Sequence, residues 1–210
     1  MSTETPYRMA LALLLAGLVA HRAYFIRRFR STPAMRPRDA PPGIAGLLIR
    51  TLGTAALMAT IAYLASPRAI SWAAIPLPSW VRWLGSTTGL AGLLVIDAAQ
   101  RALGVHWSID PRLIDGHQIV RAGPYRFVRH PIYTGFSMVL GSPLLIAANW
   151  AVGLTCLSVT LLDIGWRVRR EEALLLSRFG SRYADYMSAT GRFLPRLWRA
   201  GSASSGTSRS

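Results

Sequence analysis

Apolar residues along the chain fall into runs of membrane scale separated by polar gaps, and a spanning helix needs roughly 20 mostly apolar residues. The first run covers about Arg8 to Ile26, with an uncharged centre from Met9 to Ala20 and with Arg22 able to snorkel to an interface. A second extends from about Ile44 to Ala65 and carries Arg50, and a third, about Val81 to Leu103, carries Asp97 near its end. Between Pro131 and Leu162 no residue is charged. That length suits two spans of about 18 residues folded back at Asn149 and Trp150, the second running on a little past Leu162. The following stretch, WRVRREEALLLSRFG, has no Pro or Gly between Trp166 and Gly180, so the fifth helix is expected to leave the membrane intact and to stop at Gly180. The pattern predicts an all-α polytopic membrane protein with about five transmembrane helices.

Composition agrees with that reading. With 51% hydrophobic and 16% charged residues, the chain is neither disordered nor an ordinary soluble domain. The net charge of +15 comes from 24 basic residues, all of them Arg. These arginines occupy the gaps between apolar runs instead of one polar helix or arm, which argues against nucleic acid as a partner and for membrane topology as their origin. Six lie between His21 and Gly43, five between Arg101 and His130, and nine from Arg167 onward. Those segments are expected in the cytoplasm, with the N-terminus outside and the C-terminus inside. Trp72, Trp80, Trp83 and Trp150 fall at the opposite ends of the runs, where an interfacial belt belongs. The lone Cys156 excludes a disulfide framework and a cysteine zinc site, and no metal site is expected. Met9 to Ala20, followed by His21 and Arg22, reads as a helix and not as a cleavable signal. Three parts follow: residues 1–103 as an N-terminal three-helix membrane part, 104–200 as the functional core, and 201–210 as a disordered tail rich in Ser and Gly.

Polar chemistry concentrates in Trp107 to Tyr133, WSIDPRLIDGHQIVRAGPYRFVRHPIY, a long loop with turn signals at Asp110-Pro111, Asp115-Gly116 and Gly123-Pro124. Gln118, Ile119 and Val120 can lie extended, and Gly123 with Pro124 turns Tyr125, Arg129 and His130 toward the membrane surface. Pro131 then opens the fourth helix. Further along, Asp163, Arg167 and Glu171 are successive i to i+4 neighbours and form one stripe. Arg50, Asp97 and Asp163 fall at a similar depth near the arginine-rich side, where ionisable groups have to pair or line a wet cavity. Arg50 with Asp97 reads as a structural pair, while His21 and His106 are assigned to the interface without a role.

The order and spacing of GPYRFVRHPIYTG and EEALLLSRFGSRYADY, with a hairpin between them, resemble the Gly-x-Tyr, Arg-His-Pro-x-Tyr and Glu-Glu-x-x-Leu blocks of the isoprenylcysteine carboxyl methyltransferase and phospholipid methyltransferase superfamily. The resemblance covers roughly Trp107 to Pro195. It implies a helical membrane enzyme that binds S-adenosylmethionine at the cytoplasmic face and methylates a lipophilic acceptor. Carried over by position, it assigns cofactor contacts to His117, Gln118, Ile119, Val120, Tyr125, His130, Pro131, Ile132, Tyr133 and Glu171, and a substrate contact to Arg167. Asp110 stands near where the resemblance leads one to expect an amide-bearing side chain, and the first two spans match nothing in the family pattern.

The residue types suit that chemistry on their own terms. A sulfonium beside an amino acid carboxylate needs carboxylate and aromatic faces for the cation and donors for the anion. Glu171, Tyr125, Tyr133, His130 and Arg129 supply them, and Glu172 is a further cofactor-binding candidate beside Glu171. Arg167 and Glu171 are the candidates closest to the reaction. An arginine anchoring an acceptor carboxylate favours ester formation, whereas phospholipid or small-molecule N- or S-methylation stays open as an alternative. A nicotinamide-dependent membrane reductase with a similar C-terminal arrangement is a more distant one.

Overall fold

A computed structural model describes residues 3–29, 43–104 and 118–196. Its elements are almost all helical: α1 (Thr5–Arg28), α2 (Gly43–Ala65), α3 (Ser79–Leu103), α4 (Pro131–Gly141), α5 (Pro143–Ile146), α6 (Trp150–Phe179) and α7 (Ser181–Ala189), with 3-10 turns at Pro67–Ala73 and Gly123–Arg126. His117, the turns at Asp110 and Asp115, His106 and the Ser/Gly tail lie outside the described residues.

Three helices, α1, α2 and α6, are long and apolar enough to cross a membrane. Their outward sides stay apolar, with Leu13, Val19, Leu47, Leu57, Ile61 and Leu161 all exposed, as a lipid-facing surface requires. The expectation of five comparable spans is met only in part. The run from Pro131 to Ile146 is apolar but shorter. Helix α3 has the predicted extent, yet it carries Arg82, Asp97 and Arg101 and packs on α1, α4 and α5. Its polar residues are buried or paired within the bundle, which is why its hydropathy is lower than that of its lipid-facing neighbours.

The hairpin turns where its residues dictate. Pro143 has no N–H for the carbonyl of Val139, so the helix breaks there, and the Ser142 hydroxyl donates to Val139 O instead at 2.8 Å. Asn149 then caps α6, accepting from Val152 N at 3.1 Å and donating to Ile70 O at 2.8 Å, which ties the tip to the Pro67–Ala73 turn. Close packing fixes α4 on α3: a Cβ on Gly92 would sit 2.8 Å from Gly135 O, and one on Gly135 2.7 Å from Gly92 O. Helix α6 continues without a break through Glu171 and Glu172 to Gly180, whose φ of 53° ends it in a left-handed turn.

Two expectations about polar residues need correction. Arg50 does not meet Asp97. Helix α2 packs chiefly on α6 and leaves Arg50 exposed, while α1 packs on α3 and brings His21 Nε2 within 3.3 Å of Asp97 Oδ1. Arg101 Nε donates to the other oxygen at 2.7 Å. His21 is therefore an internal partner and not an idle interface residue. Arg82 is buried near the hairpin tip: Nε donates to Ile146 O at 3.0 Å, and the guanidinium grips Glu4 through two bonds of 2.8 and 2.7 Å.

Candidate functional site

At the other end of the bundle, the start of α4 faces the charged extension of α6. The backbone before α4 is turned by Gly123, at φ 56°, and by the 3-10 turn Gly123–Arg126, as the Gly-Pro signal predicted. His130 caps α4 at its N-terminus and Pro131 occupies the first turn, so His130 and Tyr133 are three residues apart on adjoining turns. Their rings lie 5.6 Å apart. Tyr133 donates its hydroxyl to Glu171 Oε2 at 3.1 Å, and His130 Nδ1 lies 3.8 Å from that same oxygen.

The adjacent carboxylates Glu171 and Glu172 occupy different environments. The Glu172 side chain is 6% exposed, and its Oε1 receives Arg129 Nε, His130 Nε2 and Arg192 Nε, each at 3.2 Å. Arg192 Nη2 takes Oε2. Glu171 is 32% exposed and accepts from Tyr133. Helix α6 thus carries one carboxylate inward to the fold and presents the other at a surface lined by Tyr133 and His130. Arg167, 3% exposed and one turn before Glu171, donates Nε to Asp163 Oδ2 at 3.1 Å, so the predicted stripe along α6 is present.

The segment after α7 closes this end. Gly191 O accepts from Arg129 N at 2.8 Å, Arg192 O from His130 N at 3.0 Å, and Phe193 O from the Thr134 hydroxyl at 2.8 Å. Arg129 Nη1 donates to Met187 O at 2.9 Å and also to Thr190 O. Phe193 packs 6.1 Å from the His130 ring. The sequence reading missed this strap. Its only signal was the Gly-Arg-Phe run after the end of α7, the same residue vocabulary as the loop before α4.

Tyr125 and Tyr186 hold the strap's base, with Tyr186 donating to Tyr125 O at 2.6 Å. Burial, reinforced by the Glu171 charge, pushes the Tyr125 hydroxyl well above its usual range, and burial carries Tyr186 to about 12. Both therefore stay neutral donors at physiological pH. Ile132 is half-buried in the first turn of α4 and Pro131 is buried, while Gln118, Ile119 and Val120 form an irregular stretch with Gln118 exposed. The structure thus gathers His130, Tyr133, Glu171, Glu172 and Arg129 directly, with Tyr125 close by. Among the described residues no cluster of His, Cys, Asp or Glu could hold a metal ion.

Among the described residues, these features define a helical bundle with apolar outer faces and a polar recess where a loop, a helix start and a helix extension converge. The sequence profile of the isoprenylcysteine carboxyl methyltransferase family matches residues 88–177, which include α4, the hairpin and the carboxylate pair. Over that region, somewhat less than half of its length, the chain is similar to this family. A protein-S-isoprenylcysteine O-methyltransferase of Dictyostelium discoideum is 25% identical over 125 residues, covering 55% of this chain and 49% of the relative. The protein of that name from Schizosaccharomyces pombe is 35% identical over 82 residues, 39% of this chain and 34% of the relative. The chain spans half or less of the length of these curated relatives. The solved structure of a eukaryotic intramembrane Ras methyltransferase, isoprenylcysteine carboxyl methyltransferase, superposes with a TM-score of 0.52 at 22% identity, over 72% of this chain and 52% of that one, and shows the shared fold.

Proposed function

We propose that the chain is a membrane methyltransferase that draws a methyl group from S-adenosylmethionine and passes it to a lipophilic acceptor, in the manner the names of its relatives suggest. The observation that carries this reading is the half-exposed Glu171 carboxylate, held by Tyr133 beside the His130 ring, inside the region that matches the family. The donor set fits the cofactor: a carboxylate and tyrosine rings for a cation, and an imidazole and backbone for its polar ends. When bound, S-adenosylmethionine supplies an electrophilic methyl carbon on a sulfonium. Glu171, Tyr133, His130, Pro131, Ile132, Tyr125 and the Gln118–Val120 stretch line the cofactor side, and His117 is assigned there from sequence.

Arg129 and Glu172 are read differently, since their polar atoms serve the strap and each other; they position His130. Arg167 is the acceptor-side group. An acceptor carboxylate attacks as an anion and needs no base, so alignment supplies most of the acceleration. An amine or thiol would have to lose a proton, and the recess offers Glu171 and His130 as candidates to take it. Ester formation is the leading reading and N- or S-methylation the second. The arginine-rich loops support a cytoplasmic recess, an outside N-terminus and five helical passes, with α3 and α4–α5 as the internal ones.

Titration of purified protein in detergent tests the cofactor: S-adenosylhomocysteine should bind and NADPH should not. Binding of NADPH alone would replace the reading with a reductase. Labelled methyl transfer to prenylated cysteine analogues, compared with lipid extracts, then identifies the acceptor. Reporters fused before Met1 and after Ser210 should fall on opposite sides of the membrane, and same-side signals would remove one pass.

A further inference from the structure

Glu172 is enclosed by the protein donors Arg129, His130 and Arg192, and the least expected of them is Arg192. It belongs to neither α4 nor α6 but to the strap, where backbone bonds to Arg129 N and His130 N and the Thr134 bond to Phe193 O hold it in register. Its guanidinium meets the carboxylate side-on, Nε to Oε1 at 3.2 Å and Nη2 to Oε2, so the carboxylate is fixed in rotation. A carboxylate oxygen only accepts, so His130 Nε2, 3.2 Å from Oε1, has to carry a proton. In the neutral ring this leaves Nδ1 bare. Nδ1 and Glu171 Oε2, 3.8 Å apart, are then two neighbouring acceptors at the recess.

We infer that Arg192 is a positioning residue: by clamping Glu172 it fixes the His130 tautomer with the proton on Nε2 and sets bare Nδ1 beside Glu171 as a paired acceptor for an N–H-bearing part of the methyl donor. This rests on the proposed donor site, but the clamp acts through His130 and touches no ligand. Arg129 alone cannot replace it. Arg129 contributes one bond to Oε1 and spends Nη1 on Met187 O and Thr190 O, so without Arg192 the Oε2 atom loses its guanidinium and Glu172 is free to turn away from the imidazole.

The test labels histidine nitrogens in the full-length protein in detergent. The chain has 4 His, so the His130 signals are assigned by their loss in His130→Asn. In the unsubstituted protein, one ring nitrogen should be protonated and the other bare. In Arg192→Gln the two tautomers should mix, S-adenosylhomocysteine should bind on the order of tenfold more weakly, and the donor KM should rise in step while kcat stays within about threefold. Arg192→Lys keeps the charge without the side-on fork and should restore little of the tautomer order. His130 signals unchanged in Arg192→Gln would overturn the inference, as would full recovery of tautomer and affinity in Arg192→Lys, which would leave Arg192 a simple counter-charge. If Arg192→Gln does not fold, the milder Arg192→Lys carries the same readouts. Failure of the unsubstituted protein to bind S-adenosylhomocysteine would instead defeat the donor-site reading, and the ring nitrogens would still report on the clamp.

Discussion

Both ends of the bundle pair a carboxylate with arginine, yet we propose chemistry at only one of them. Near the hairpin tip, Glu4 receives two bonds from Arg82 and one from the Tyr63 hydroxyl at 3.0 Å, Arg82 stacks 3.6 Å from the Tyr7 ring, and Arg8 closes onto the Leu64 carbonyl. Every strong group there has a partner inside the fold. At the opposite end, Glu172 is enclosed more tightly by Arg129, His130 and Arg192, 6% exposed against 31% for Glu4, and Glu171 beside it is part-exposed with Tyr133 as a hydrogen-bond donor and no guanidinium fork of the kind that grips Glu4. Charge burial alone therefore does not mark a site. The distinguishing mark is a second charge that the first cluster's geometry leaves accessible.

The sharpest way to break this comparison is to remove one carboxylate from each end. Glu171→Ala should weaken S-adenosylhomocysteine binding by one to two orders of magnitude, roughly the 1.5–3 kcal/mol of a charge-assisted contact, with little change in melting temperature. Arg82→Ala should do the reverse, lowering stability by about 3 kcal/mol because it strands Glu4 at a partly buried site, while affinity stays put. Calorimetry and denaturation on both variants decide it; equal loss of affinity in the two would erase the distinction.

Arg167 sharpens the chemical side. Arg167→Ala should lower turnover by about tenfold or more while leaving S-adenosylhomocysteine affinity nearly intact, and at a bidentate carboxylate Arg167→Lys should recover little. Full turnover of Arg167→Lys on the true acceptor would promote N- or S-methylation. Tyr133→Phe, which deletes only the hydroxyl bond to Glu171, should cost about fivefold in affinity, near 1 kcal/mol.

The smallest effect is a pH dependence at the tip. Hydrogen bonds from Arg82 hold Glu4 below its ordinary 4.5 against the opposing pull of burial, so its contribution is present above that value and is lost as pH falls through the folded one. Stability should decline in acid below about pH 4.5, and Glu4→Gln should flatten that part of the curve. An identical acid limb in Glu4→Gln would assign the decline to other groups.

Helix limits and turns were legible because their causes are local. Asn149 and Trp150 mark the fold-back, Gly180 stops α6, and Gly123-Pro124 turns the loop, each through a residue that dictates its own backbone. The Tyr133, Glu171 and Arg167 cluster was legible through motif order and helical spacing. Pairings across helices were not. A charge in an apolar run announces that it needs a partner, but helix packing decides which, so Asp97 found His21 and Arg101 instead of Arg50. Arg192 was invisible for the same reason, since its partner is fixed by how the strap returns over α4.

The unbroken length of α6 makes it a ruler laid across the bilayer. Glu171 stands about 32 Å along the axis from Trp150 at 1.5 Å per residue, close to the roughly 30 Å of a hydrocarbon core. If the indole ring anchors at one interface, Glu171 of the proposed cofactor site would come to rest at the other, where an apolar acceptor's polar end would emerge. A thicker bilayer would draw Glu171 toward hydrocarbon and a thinner one would lift it into water, so the lipid host itself tunes the depth of the reaction.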